Sequence, residues 1–298
     1  MVVEQTKKLK VYIPNTSRAG QIGGGWTFLT NLRKGLKGKV ELVEKWQDAD
    51  IVFIFSITTM DKGEVYEAKK AGKKLVLRVD NIPRKSRNKR QSPAERLREF
   101  GAMADMVVYQ SKWAKKFAGY FAGDGIVINN GVNPDIFNTK DRITKGWDTY
   151  LYIDYNPNPF KRFDEAIYRF EMEWRKNINA QLILAGNVPK MFLLNPDLNY
   201  DLNVPAIVVY EGVKETPEDV AMLMKRCDYL IYPSFAEAYP NTVLEAMACG
   251  VTPIFMNPEG GSMEAFDDNY VNGKGFRVKT IQEMADEYIE LFNKIIKK

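Results

Sequence analysis

The chain reads as an α/β protein of two doubly wound, Rossmann-like domains, each a parallel sheet with helices on both faces. Three observations predict this. Short β-branched or aromatic runs alternate with amphipathic stretches along the chain, and such alternation lays strands side by side with helical crossovers between them. The alternation comes in two sets, separated by a polar stretch over residues 138–148. The length of 298 residues, 45% of them hydrophobic, is enough for two cores.

In the first set, strands are predicted over residues 9–14, 40–44, 51–55, 75–79, 106–109 and 126–128, with helices over 26–36, 62–71, 93–103 and 111–121. The run Ile51-Val52-Phe53-Ile54-Phe55 is far too short to cross a bilayer and reads as a buried strand. Trp113, Phe117, Tyr120 and Phe121 recur at helical spacing and read as core rather than as a membrane face. In the second set, strands are predicted over 150–153, 181–185, 207–210, 229–232 and 252–255, with helices over 163–174, 217–225, 242–248 and 281–296. The last helix carries Ile281, Met284, Ala285, Tyr288, Leu291, Phe292 and Ile295 as one apolar stripe, which needs a surface to cover. No repeat with a solenoid period is visible.

Composition removes several chemistries. The chain has no histidine, which excludes Ser-His-Asp and Cys-His triads, histidine-ligated zinc and an imidazole base. Cys227 and Cys249 are too far apart in sequence for a CxxC pair, and two cysteines make no disulfide framework, so a reducing, cytoplasmic setting is expected. The N-terminus lacks an apolar run of signal-peptide length. The net charge of +5 hides a division. Residues 1–148 carry 28 Lys+Arg against 16 Asp+Glu, a net +12, and residues 149–298 carry 15 against 22, a net −7. The first half is therefore the one to attract an anionic partner.

Ligands in open α/β sheets bind beyond the carboxyl ends of the strands, so residues that follow strands carry most information. After the first strand comes Gly20-Gln21-Ile22-Gly23-Gly24-Gly25, a loop whose glycines let the backbone approach a phosphate at a helix start. It does not spell GxGxxG, and a simple flexible turn explains it equally well. The richer stretch is Asp228–Gly250, DYLIYPSFAEAYPNTVLEAMACG. A buried strand ends at Pro233-Ser234, a loop carries Glu237, and a short helix carries Glu245 before Gly250 stops it. Asp48-Ala49-Asp50 precedes its strand, so it reads as a strand start rather than a metal site.

The stretch around Glu237 and Glu245 resembles the Glu-x7-Glu signature of the retaining GT-B glycosyltransferases of the family-four group. Other pieces fall in that family's order: Gly23-Gly24-Gly25, the Asn129–Phe137 segment NNGVNPDIF, Lys161-Arg162-Phe163-Asp164, Leu184-Ala185-Gly186, Glu211-Gly212-Val213 and the Pro258–Glu264 segment PEGGSME. The resemblance covers nearly the whole chain. It implies a GT-B fold, two Rossmann-like domains facing across a cleft. Residues 1–145 would bind the acceptor and 146–280 the nucleotide sugar, while 281–298 would return as a helix to the first domain.

The implied activity is a metal-independent, retaining transfer of a hexose from a UDP- or GDP-sugar to a glycan, lipid-linked or other acceptor, with no cofactor. By the same resemblance Glu237, Lys161, Arg162 and Asp80 would be catalytic. Gly23, Gly24, Gly25, Gly186, Asn187, Val213, Ala238, Tyr239, Asn241, Thr242 and Glu245 would bind the donor. The chain departs from the family at two places. Arg78-Val79-Asp80-Asn81 stands where many relatives carry a histidine, and Tyr155 or Asn156 replaces an arginine, with Arg162 at a usual glycine position.

The cluster Arg84, Lys85, Arg87, Lys89 and Arg90 is a solvated basic loop on the simplest reading; contact with an anionic acceptor or a membrane surface is the sharper one. Nucleic acid fits poorly, since no aromatic stacking pattern accompanies the charge. Two alternatives to the transferase stand beside it: an NAD-dependent oxidoreductase and a non-catalytic sugar-nucleotide-binding module.

Overall fold

The computed structural model describes residues 8–14, 24–80, 93–154, 161–188, 208–257 and 260–297. Its contacts divide the chain into two units. The first runs to Gly131, apart from Gly24, and resumes at Lys279; the second takes Gly24 and residues 132–278. The division falls ahead of the polar stretch because Val132 and Phe137 are already buried in the second unit's core. Arg142 then ties the following segment to that unit, bonding the Gly250 carbonyl and pairing with Asp228.

The first unit holds strands β1 (Lys10–Tyr12), β2 (Glu41–Val43), β3 (Ile51–Ile54), β4 (Lys74–Val79), β5 (Met106–Tyr109) and β6 (Ile126–Val127), paired in parallel in the order β2-β1-β3-β4-β5-β6. Its helices are α1 (Gly24–Leu36), α2 (Lys62–Lys70), α3 (Pro93–Met103) and α4 (Lys112–Ala122), and a 3-10 turn over Trp46–Asp48 precedes β3. All four residues of β3 are buried, as a strand covered on both faces requires. The chain's last helix, α9 (Ile281–Ile296), also packs here. It starts with a capping box at Thr280 and Glu283, and every member of its apolar stripe is buried. Tyr288 and Phe292 meet Phe53 edge-on, with ring centroids 5.2 and 5.9 Å apart.

The second unit holds β7 (Thr149–Asp154), β8 (Gln181–Gly186), β9 (Val208–Tyr210), β10 (Tyr229–Tyr232) and β11 (Thr252–Phe255), parallel in the order β11-β10-β7-β8-β9. Helices α5 (Phe163–Lys176), α6 (Pro217–Met224), α7 (Asn241–Ala248) and α8 (Gly261–Asn269) cover it, followed by a two-stranded hairpin, β12 (Tyr270–Val271) and β13 (Gly275–Phe276). The winding leaves β7 in one direction for β8 and β9, then resumes on its other side with β10. That puts a topological switch point between β7 and β10, the place where such sheets open to a ligand.

The predicted strands and helices are all present among the described residues, most within two residues of the expected bounds. The 3-10 turn, α8 and the hairpin were not expected. One expectation holds only in part: Phe121 packs against the core and Trp113 is half-buried, but Phe117 and Tyr120 are exposed. On α4 the buried positions are Ala114, Ala118 and Ala122, while Phe117 and Tyr120 are 47% and 80% exposed. Small residues are needed on the inner face because α3 approaches closely: a Cβ on Gly101 would fall 2.2 Å from the Ala122 carbonyl oxygen. Phe117 and Tyr120 therefore face outward, although their spacing is equally helical.

Candidate functional site

Lys161 and Glu237 come from loops that follow β7 and β10, so the switch point brings them together. Lys161 Nζ lies 3.3 Å from Glu237 Oε1 and 5.8 Å from the centre of the Tyr232 ring. Tyr232 ends β10 and is buried. Burial alone would lower the pKa of the lysine; the nearby Tyr232, Glu237 and Asp154 outweigh it and hold the ammonium well above the ordinary lysine value. The group stays charged at any physiological pH. Tyr152 steadies the loop from beneath, its hydroxyl donating to the Lys161 carbonyl at 3.4 Å.

Arg162 follows as the N-cap of α5, with a left-handed backbone at φ 50° and an ion pair to Glu165. That conformation explains the glycine preference expected at the position, because only glycine adopts it without penalty. A second left-handed residue, Ala236 at φ 53°, precedes Glu237. Non-glycine residues held in this region gather where a loop must aim a side chain.

The loop bearing Glu237 is anchored by the start of α8. Gly261 N–H donates to the Glu237 carbonyl at 2.9 Å, and a Cβ on Gly261 would lie 1.8 Å from the Ala238 carbonyl oxygen. Ala238 and Tyr239 point inward: both are buried, and the Tyr239 hydroxyl accepts from Asn269 Nδ2 at 3.1 Å. Only their backbone can face a ligand. Asn241 and Thr242 open α7, whose first N–H groups and positive dipole end suit an anion. Glu245 sits one turn further along α7, and burial pushes its carboxyl up to about 7.

Gly186 closes β8 at φ 90°, where a Cβ would overlap the Asp154 carbonyl oxygen at 1.9 Å. Its N–H donates to the Gly212 carbonyl at 2.8 Å and the N–H of Asn187 to that of Asp154 at 2.7 Å, so neighbouring strand ends are stitched together. Val213 follows β9 and is 42% exposed. In the first unit, Gly25 lies in the first turn of α1 beside Asp80; a Cβ there would come within 3.9 Å of Asp80 Oδ2. Asp80 caps the end of β4, where Arg78 is buried, stacked 3.5 Å over the Phe28 ring and donating to Asn130 Oδ1 at 3.0 Å. Gly24 is the first residue of α1.

Gly23, the basic cluster at residues 84–90, Tyr155, Asn156, Pro258 and Glu259 lie outside the described residues. Sequence reasoning did not single out Tyr232, Tyr152 or the anchoring role of Gly261. The one available signal for the last was the Gly260-Gly261 pair directly after the β11 region. Among the described residues, no cluster of three acids or cysteines has the arrangement of a metal site, and no helix is long and apolar enough to cross a membrane.

Known proteins resemble parts of the chain. Residues 156–297, just under half of the chain, match the model of the family described as "Glycosyl transferases group 1". The likeness to that family is confined to this segment. A relative called "Uncharacterized glycosyltransferase MJ1607", from Methanocaldococcus jannaschii, is 31% identical over 163 residues, covering 49% of this chain and 39% of the relative. An "N,N'-diacetylbacillosaminyl-diphospho-undecaprenol alpha-1,3-N-acetylgalactosaminyltransferase" from Campylobacter jejuni is 32% identical over 69 residues, 23% of this chain and 18% of that enzyme. These alignments span well under two thirds of either relative's own length.

The fold similarity extends further. The crystal structure of Anabaena Alr3699/HepE in complex with UDP and glucose superposes with a TM-score of 0.67 at 16% identity, over 98% of this chain and 90% of that one. The fold is that of the GT-B glycosyltransferases. The group 1 segment contains the Lys161–Glu237 pair, α7 and the glycine-anchored loop.

Proposed function

We propose that the chain is a retaining, metal-independent glycosyltransferase that moves a hexose from a UDP- or GDP-sugar to an acceptor. The observation that carries this reading is the Lys161–Glu237 pair at the β7–β10 switch point, beside the start of α7, inside the segment that matches the group 1 family. The bound UDP and glucose of the Anabaena structure lend the donor class support.

On this reading the second unit holds the donor. Lys161, Arg162 and the Asn241 and Thr242 N–H groups take the diphosphate, while backbone at Gly186, Asn187, Val213, Ala238 and Tyr239 lines the nucleotide. Glu237 accepts hydrogen bonds from the sugar hydroxyls and Glu245 from the ribose. The bond between the anomeric carbon and the phosphate oxygen breaks as the acceptor oxygen bonds the same face of that carbon. The acceptor's proton passes to the departing phosphate, so neither glutamate forms a covalent intermediate. Fixed cations stabilise the charge that develops on the leaving group; removing one such donor typically costs about 3–4 kcal/mol of barrier lowering.

The first unit would hold the acceptor. Asp80, after β4, would serve there as a catalytic residue, while Gly24 and Gly25 in the first turn of α1, with Gly23 before them in sequence, would contact the donor. Its excess of positive charge suits an anionic acceptor, and the lipid diphosphate in the Campylobacter enzyme's name is an acceptor of that kind. The basic residues Arg84, Lys85, Arg87, Lys89 and Arg90 would contribute to the same attraction, at a peripheral position on the cytoplasmic face of a membrane.

The test is turnover of a panel of sugar nucleotides, read as transfer or slow donor hydrolysis. Activity is expected to persist in EDTA and to fall by at least about a hundredfold in Glu237→Ala, as losses of groups that stabilise a transition state do. Full activity in Glu237→Ala would refute its role, and loss in EDTA restored by a divalent cation would refute metal independence. Tight nucleotide binding with neither transfer nor hydrolysis would point to the non-catalytic module instead.

A further inference from the structure

The transfer chemistry leaves one buried charge unexplained, that of Arg78. The residue lies in β4 with 1% of its surface exposed, its guanidinium 3.5 Å over the Phe28 ring and Nη2 donating to Asn130 Oδ1 at 3.0 Å. Among the described residues, Nε and Nη1 have no hydrogen-bond partner. Tyr288 of α9 interacts with the guanidinium, but the contact does not reach hydrogen-bond geometry, and its hydroxyl is unpartnered too. Burial lowers the pKa of Arg78, while Tyr288 and Asp80 act against that. The group stays charged all the same. A methionine could fill the slot over Phe28 without the cost of taking a charge out of water.

A buried amide network surrounds the slot. Asn130 Nδ2 donates to Gln110 Oε1 at 3.1 Å, Gln110 Nε2 to the Val79 carbonyl at 3.2 Å, and Asn129 Nδ2 to the Gln110 carbonyl at 3.0 Å. The chain leaving β4, β5 and β6 is thereby tied together beside the guanidinium. That network asks only for a neutral donor at position 78, so it does not account for a full charge. Asp80 does. Side chains alternate along a strand, so Arg78 and Asp80 project to the same side of β4. Both meet α1, the guanidinium over Phe28 and the carboxylate beside Gly25. Asp80 is the acid that Arg78 attracts, and in a buried setting that attraction reaches beyond contact and is poorly screened by salt.

We propose that Arg78 is a positioning residue: its buried charge holds Asp80 ionised and aimed past the end of β4, ready to accept a hydrogen bond from a sugar hydroxyl. This rests on the reading of Asp80 as a catalytic residue. The groups around the guanidinium are Phe28 of α1, Asn130, Tyr288 of α9 and Asp80. Of these, Asp80 alone can carry negative charge at neutral pH, because burial keeps the Tyr288 hydroxyl protonated. The start of α1 adds its positive dipole end on the same side.

Carbon-13 labelling of the aspartate carboxyls in the full chain, with Asp80→Asn to assign the signal, follows the ionisation of Asp80 without any turnover. Its titration midpoint should rise by about one pH unit in Arg78→Gln, which keeps a donor for Asn130 and removes the charge. Arg78→Met should give the same rise, and repeats the measurement if the glutamine variant does not fold. Arg78→Lys should hold the midpoint within about half a pH unit of wild type, since a lysine is protonated across the acid range in which aspartates titrate. In transfer or donor hydrolysis, Arg78→Gln should lower kcat by about tenfold with little change in KM, and that loss should vanish in the Asp80→Asn background. Circular dichroism and urea unfolding check that each variant is folded. A midpoint unmoved in the folded neutral variants, or an equal fractional loss of turnover with and without Asp80, would overturn the proposal and leave Arg78 a packing residue. Full activity in Asp80→Asn would instead refute the catalytic reading of Asp80, with the midpoint still reporting the attraction separately.

Discussion

Arg162 combines a charge with a backbone conformation that side chains avoid, at φ 50° on the rim of the Lys161–Glu237 pair. A left-handed non-glycine residue costs on the order of 1–3 kcal/mol, and glycine there would relieve the strain but add backbone entropy to the unfolded chain. Arg162→Gly should therefore leave stability within about 1 kcal/mol of wild type in urea unfolding. The same variant should bind a nucleoside diphosphate at least about tenfold more weakly by calorimetry, because a charged hydrogen bond is lost. Glu245 offers a second residue-scale test. Its carboxyl, raised by burial from 4.5 to about 7, holds its proton more tightly in the folded chain. Its contribution to stability is thus full below the unfolded value and declines as pH rises towards 7. Urea unfolding at about pH 5 and about pH 8 should show that decline in the wild type and its reduction in Glu245→Gln. Glu237, Glu245 and Lys161 were singled out through the family resemblance, since their spacing alone says little. The left-handed backbone at Arg162 and the ring of Tyr232 under Lys161 were not, because dihedral angles and strand-end packing leave no mark in a single sequence.

Between elements, one close crossing in the first unit joins α1 to α9. A Cβ on Gly35 would lie 2.5 Å from the Ile281 carbonyl oxygen and 2.7 Å from the Ala285 Cβ. Glycine to alanine inside a helix ordinarily gains up to about 1 kcal/mol. Here Gly35→Ala should instead destabilise by about 1–3 kcal/mol, since backbone must move to admit the methyl group. Thermal unfolding followed by circular dichroism decides the sign. Elements with long periodic stripes, such as α9, or continuous apolar runs, such as β3, could be placed from sequence nearly to the residue. α8 could not: its nine residues, GSMEAFDDN, start with the two small residues Gly261 and Ser262 and end with two acids and an asparagine, so no stripe stands out. β12 and β13 are two residues each, too short for alternation to register. α4 was found, but Phe117 and Tyr120 were misplaced because alanines and aromatics both recur at helical spacing, and only the close approach of α3 at Gly101 decides which stripe turns inward.

At the scale of the molecule, charge and chemistry are segregated. The first half carries the net +12, and the second carries the net −7 with Lys161 and Arg162 side by side at its switch point, each paired with a glutamate. On the proposed reading these two cations supply the local positive charge that a diphosphate needs within an acidic half. α9 returns the end of the chain to the first unit, so truncation before Thr280 would remove the stripe of Met284, Tyr288 and Phe292 and expose the core residues they cover. The direct measurement is a crystal structure of the chain with a UDP- or GDP-sugar bound. The account predicts phosphate density within hydrogen-bond reach of Lys161 and the first N–H groups of α7, with the sugar against Glu237 and no ion between the phosphates. Density remote from the ends of β7 and β10, or a divalent cation bridging the phosphates, would contradict it.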